Sequence, residues 1–327
     1  MKTIKILYLL LCLISIAINA QTIHVVSNLP TQNTGYTTLQ EAVDAANTGD
    51  IIMLQPSPTS YGNATINKTL EIIGAGYFKP TNPEIAGSQW ESTVGNLEVE
   101  ADGTIIKGLN VSTLNIKASN TLVTRSLMAN YQIIGSTDVE ISNNILEKSY
   151  VNSSIYFSYT NFALIKNCFI NSIYSTDNDA YNVYIFNNII AYGFNNGNSI
   201  TYSNNIVYNS GFTISGTNNN AYNNNICAGG APNVANNVGN VDMSTVFVGY
   251  SDIGDYSADT RWQLIDAPTN PAKGGGENDE DCGMYGGDNP YIPSGIPDHP
   301  EIYSIYAPAI NNGNSGMNVE IKARTNN

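Results

Sequence analysis

Histidine is almost missing from these 327 residues. Only His24 and His299 occur, both outside the repetitive middle of the chain, so no catalytic constellation there can rest on an imidazole. No two aspartates are adjacent. Basic residues are scarce too, with 13 Lys and Arg against 27 Asp and Glu. Setting aside Lys2 and Lys5 leaves 11 basic residues against 27 acidic ones, a net charge of −16 with His neutral. Such a surface disfavours nucleic acid, whose binding needs a positive footprint. It equally disfavours anionic membranes and most acidic polysaccharides, unless calcium bridges them. Cysteine is also rare: beyond Cys12 there are only Cys168, Cys227 and Cys282. An odd number suggests no disulfide framework, and Cys168 and Cys227 read as small core fillers.

Long apolar runs are confined to the start. Residues 6–18 are almost continuously apolar and follow the positive Lys2 and Lys5. The run is too short for a stable membrane span. Residues 1–20 are therefore expected to be a signal peptide cut before Gln21, and the protein to be exported to the extracellular space, the cell surface or the periplasm. No membrane insertion is expected of the remainder.

What the chain has in abundance is a repeated phrase: an apolar residue, a spacer, two bend residues and another apolar residue. Its seven copies have second bend residues at Gly108, Ser126, Asn144, Cys168, Asn188, Asn205 and Asn225, spaced 18, 18, 24, 20, 17 and 20 positions apart. The preceding column is Lys107, Arg125, Asn143, Asn167, Asn187, Asn204 and Asn224. Lys and Arg are rarely buried, so this first column is expected to face water. The second column is small and tolerant of left-handed bends. Its Asn side chains are expected to hydrogen-bond rung to rung inside the core, with the flanking aliphatic residues pointing inward. Stacked rungs of this kind bury an apolar column that no single repeat could bury.

The ends carry their own signals. In 37–47, Leu39, Ala42, Val43 and Ala46 make the stripe of a short amphipathic helix, and Thr38 with Glu41 makes a capping box. A Gly49-Asp50 turn leads into the apolar run 51–54. Such a helix would cover the open edge of the first rung. Residues 288–327 read as a Pro- and Gly-rich linker followed by two alternating segments that predict a β hairpin, after a single solenoid over 21–287.

The Asn-Asn-aliphatic phrase, the leading helix and turn, and the closing Trp262-Gln-Leu264 with Asn270-Pro-Ala-Lys-Gly274 resemble the right-handed parallel β-helix proteins of the pectin lyase-like superfamily. The resemblance covers roughly residues 36–287. It implies an all-β, single-stranded right-handed parallel β-helix with a short N-terminal capping helix and a small C-terminal β tail, of the kind found in secreted bacterial proteins. A left-handed β-helix has rungs of 18 residues. The later intervals of 20, 17 and 20 are not multiples of six, which favours the right-handed form.

Candidate chemistry is sparse. Relatives of the polygalacturonase type carry paired aspartates, Gly-His-Gly and Arg-x-Lys, none of which is found here. Glycoside hydrolysis needs two carboxylates across the bond, and Asp177 with Asp179 offers a pair in the longest repeat. Lyases need a basic residue, for which Lys107 and Arg125, stacked one rung apart, are the candidates. Each set reads equally as solvated surface charge. Glu277, Asp279 and Asp281 lie between glycines and could hold calcium, or form an acidic turn. The 21 tyrosines include Tyr156, Tyr159, Tyr174, Tyr181 and Tyr184, crowded in the middle repeats. Flat rings with polar tips suit sugar contacts, and also suit simple packing. The reading that emerges is a non-catalytic cell-surface or extracellular carbohydrate-binding protein with no cofactor, apart from possible calcium. The alternatives are a divergent polysaccharide lyase or glycoside hydrolase, and a purely structural adhesin or matrix protein.

Overall fold

The computed structural model describes residues 21–32, 34–82, 90–135, 141–175, 180–192, 199–212, 219–251, 258–298, 301–307 and 319–324. Two parallel sheets of ten and nine strands wind around one axis as a right-handed β-helix. Each middle rung contributes one strand to the ten-stranded sheet, a tight bend, and one strand to the nine-stranded sheet. The leading helix, Leu39–Ala45, starts at Thr38, whose hydroxyl accepts from the Glu41 amide while the Glu41 carboxylate accepts from Thr38 N–H. Leu39, Ala42 and Val43 are fully buried in the solenoid core. No helix among the described residues is long and apolar enough to cross a membrane.

The register assigns the bend residues differently from the sequence reading. Lys107 pairs with Thr124, so Gly108, not Lys107, lies level with Arg125. The next copy is Lys148-Ser149-Tyr150, because Glu147 pairs with Thr124 and Tyr150 with Leu127. Asn143-Asn144 forms a corner at the other end of its strand, where Asn143 donates to Asn120 Oδ1 at 3.2 Å. Both corners select residues that accept a left-handed backbone, so they read alike in sequence. The left-handed column is Gly108, Arg125, Lys148, Asn167, Asn187, Asn204 and Asn224, with φ from 48° to 66°.

Either side of that column, side chains alternate across the sheet. Ile106, Val123, Leu146, Ile165 and Ile185 point inward before the bend, and Val111, Met128, Val151, Ile170 and Ile190 after it. Asn188, Asn205 and Asn225 do form the expected inner ladder. Nδ2 of Asn188 donates to Asn205 Oδ1 at 3.0 Å, and Nδ2 of Asn205 to Asn225 Oδ1 at 3.0 Å. Each Oδ1 also accepts a backbone N–H from the rung before. An eighth copy, Asn236-Asn237-Val238, extends the ladder, with Asn225 Nδ2 donating to Asn237 Oδ1 at 2.8 Å.

Beyond the first copy, whose Leu109 lies in the solenoid core, the second apolar residue points outward, contrary to expectation, because it stands one residue beyond the inward bend residue. Tyr150, Phe169, Ile189, Ile206 and Ile226 form an outer row, separate from the solenoid core. They are buried because the later chain folds back over them with Met243, Phe247, Trp262, Cys282, Met284 and Tyr291. Phe169 stacks on Tyr150 at 4.1 Å and packs 5.2 Å from Trp262.

The same strap buries much of the left-handed column, which was expected to face water. Asn167 Nδ2 donates to the carbonyls of Met284 and Gly286, Arg125 Nη1 to that of Ile296, and Glu277 N–H to Asn204 Oδ1. The segment expected as a linker after residue 287 is therefore packed on the solenoid, with Tyr291, Ser294 and Ile296 buried. Its anchor is the fully buried Asp259, whose carboxylate accepts from Asn82 Nδ2, Tyr291 O–H and Ser294 N–H. Beyond the strap, Glu301–Tyr306 pairs antiparallel with Glu320–Arg324.

Candidate functional site

The tyrosines of the middle rungs divide between two faces. Tyr156 and Tyr174 are register neighbours on the outer side of the nine-stranded sheet. Tyr181 and Tyr184 belong to Ala180–Phe186 in the ten-stranded sheet, and Tyr159 lies at the corner between the sheets with φ 45°. No single platform holds all five.

The ten-stranded face has the denser aromatic group. In Thr160–Lys166 the ladder skips Phe162, which is left-handed at φ 60° and leaves its ring 40% exposed. Phe162 lies 5.6 Å from Tyr184, and Tyr184 lies 5.8 Å from Phe186. Tyr181 is 43% exposed in the same strand as Tyr184, on the other side of the left-handed Asn182. Phe162 and Phe186 were not singled out in sequence, and the exposure of Phe162 depends on that skip.

Where this face meets the strap there is a cleft of about 310 Å³ lined by Lys166, Phe186, Asn187, Glu277, Glu280 and Asp288, among others. Lys166 is held by Glu147 at 3.0 Å. A second cleft of about 300 Å³ lies on the nine-stranded sheet beside the helix, lined by Gln40, Asn63, Asn96, Glu98 and Asn115. There Lys117 hydrogen-bonds Glu98 and holds its carboxyl below the usual range.

The basic candidates are separated. Lys107 pairs with Glu71 at 2.8 Å and reaches Asp298 at 3.7 Å. Arg125 sits in the next column along, under the strap, and burial lowers its pKa. They form no stacked pair, because the register offsets them by one residue. Lys148, overlooked in sequence, occupies the left-handed column beneath the strap; burial, then Arg125, lower its pKa. Asp177 and Asp179 lie outside the described residues.

The acidic run does not converge on one point. Asp281 takes Lys273 at 2.7 Å and the Gly274 amide at 2.9 Å, Glu277 lines the cleft, and Asp279 is exposed. Among the described residues no group of three His, Cys, Asp or Glu side chains is placed to hold a metal. Cys168, Cys227 and Cys282 are buried free thiols. Burial pushes the thiols of Cys227 and Cys282 up to about 12.

No family model matches this chain, and no curated protein does. Among solved structures it is similar to the crystal structure of pectate lyase Pel9A, with a TM-score of 0.51 and 14% identity, covering 82% of this chain and 97% of that one. At that identity the likeness is one of fold, and it establishes the chain as a right-handed parallel β-helix.

Proposed function

We propose that the protein is an exported glycan-binding β-helix, and that it holds its ligand on the aromatic face of the ten-stranded sheet without cleaving it. The observation that carries the reading is the group of Phe162, Tyr184 and Phe186 beside a polar cleft, with the exposed Tyr181 in the same strand. Exposed rings offer flat apolar area at low entropic cost, and the cleft supplies directional polar groups. Rungs roughly 4.8 Å apart repeat the surface along its length, as a linear polymer requires. Binding without cleavage is supported by the partners of the basic groups: Lys107 is engaged by Glu71 at 2.8 Å and Lys166 by Glu147 at 3.0 Å, so each is held by a carboxylate of the protein itself.

The test is a broad glycan panel, run beside assays for unsaturated products and new reducing ends. Binding to at least one glycan with no product formed is expected. Tyr181→Ala with Tyr184→Ala should remove it at unchanged circular dichroism, each lost ring costing about 1 kcal/mol. Turnover of any glycan would replace this reading with the lyase or hydrolase alternative. A chain that neither binds nor cleaves would be a structural adhesin or matrix protein.

A further inference from the structure

We propose that the cleft beside the aromatic face is a subsite for a positively charged sugar unit, an amino sugar with a free ammonium. This rests on the glycan-binding reading above and adds the chemical class of the glycan.

The first observation is an unmet acceptor. Asn187 lines the cleft, is only 7% exposed, and its buried Oδ1 has no hydrogen-bond partner. Its neighbours in the left-handed column are engaged by the strap: Asn167 by the Met284 and Gly286 carbonyls, Asn204 by the Glu277 amide, Asn224 by the Gly275 carbonyl. A buried acceptor left unmet is costly, and a ligand bringing donors removes that cost.

The second observation is charge. Glu277, Glu280 and Asp288 line the cleft, and they have no ion pair among the described residues. The one basic residue of the lining, Lys166, is already matched by Glu147 at 3.0 Å. A uronate would meet three like charges there. A neutral sugar would supply donors and leave the charges unmatched. An ammonium supplies both, and its hydrogen bonds to carboxylate are of the strong, charge-assisted kind.

The third observation is continuity and space. Phe186 belongs both to the cleft wall and to the aromatic row, 5.8 Å from Tyr184, so a chain lying on the rings reaches the cleft. Gly287 passes over Asn187 at φ 70°, and a Cβ there would stand 2.4 Å from Asn187 Nδ2. The strap thus approaches closely with nothing projecting at this point.

The experiment titrates the full chain with a β-1,4-linked glucosamine hexamer, its fully N-acetylated counterpart and a galacturonate hexamer, by calorimetry at low salt. The expected result is a free-amine preference of at least about tenfold over the acetylated hexamer, the size of one charge-assisted contact. The triple variant Glu277→Gln, Glu280→Gln, Asp288→Asn should shrink that ratio to about threefold or less. These side chains are at the rim, so folding is checked by an unchanged melting curve. Equal affinity for both hexamers, a preference for galacturonate, or a ratio untouched by the triple variant would overturn the amino-sugar assignment while leaving glycan binding intact. Calcium chloride that titrates alone into the wild type but not the triple variant would mark a metal site and equally overturn it. Failure to bind any glycan of the broad panel would remove both readings together.

Discussion

Two rows of large apolar side chains stand on the outside of this solenoid, and they meet opposite fates. Tyr150, Phe169, Ile189, Ile206 and Ile226 are roofed by the protein's own later chain. Phe162, Tyr181, Tyr184 and Phe186, on the other sheet, are left partly open. Apart from Phe162, which a skip in the ladder turns out, both rows arise from the same alternation of a parallel strand. An outward apolar residue is therefore no signal of function by itself; what counts is whether the chain covers it. The covered row is part of the protein's stability, and the open one is where a partner can gain burial.

The sharpest break of this comparison is to remove the roof. A chain ending after Asn240 loses Met243, Phe247 and Trp262 as well as Cys282, Met284 and Tyr291, should expose the outer row and the left-handed column, and is expected to associate or precipitate. A chain ending after Asp298 keeps the roof and loses only the terminal strand pair, so it should remain monomeric with its melting midpoint unchanged. Light scattering and thermal melts separate the two; a stable monomer from the shorter chain would contradict the assignment of a roof.

Next in size are single truncations, one from each row. Phe169→Ala should cost about 3–5 kcal/mol, the usual price of a large buried ring. Tyr184→Ala should cost under about 1 kcal/mol, as at most surface positions. Denaturant melts measure both, and equal losses would erase the distinction between covered and open.

A smaller contrast lies within the bend itself. Asn188→Asp loses a donor that serves both the Ile165 carbonyl and Asn205 Oδ1, and places charge inside the ladder. It should cost about 3 kcal/mol. Asn187→Asp, one residue along, disturbs an amide whose Oδ1 has no partner, and should cost about 1 kcal/mol or less. Thermal melts of the two variants should show that order, and a reversed order would place the ladder in the wrong column.

The smallest effect concerns the first rung. The Asn47 amide, then the His24 ring, then the Thr22 amide hold the Asp50 carboxyl down to about 2. A depressed carboxylate stabilises the fold fully above its unfolded value near 3.9 and loses that contribution as pH falls toward about 2. Amide exchange at Thr22 and Asn47 should quicken in that window, and Asp50→Asn should abolish the pH dependence.

The architecture was legible because its signals are local and repeated. The Asn188, Asn205 and Asn225 ladder and the Thr38 cap each depend on residues a rung or less apart. The one-residue offset at Lys107 was not legible, since Gly108 and Arg125 share a backbone conformation and no side-chain chemistry. Nor was the burial of Arg125 and Asn167, whose partners Ile296 and Met284 lie more than a hundred positions away. The tyrosines were sorted wrongly as one group because a corner and a bulge intervene. The ladder shifts between Val151 and Ser154 and skips Phe162, and each shift changes which face a ring takes. The cleft escaped notice for the same reason as the roof: one wall comes from the strands and the other from the returning strap.

The open row is the central claim, and a footprint tests it most directly. Hydrogen–deuterium exchange would be followed with and without a saturating glycan drawn from the panel. Protection is expected in Thr160–Lys166 and Ala180–Phe186, with Tyr150–Ser158 and Phe169–Ser175 unchanged. Protection confined to the latter two strands, around Tyr156 and Tyr174, would put the ligand on the nine-stranded sheet and contradict the account.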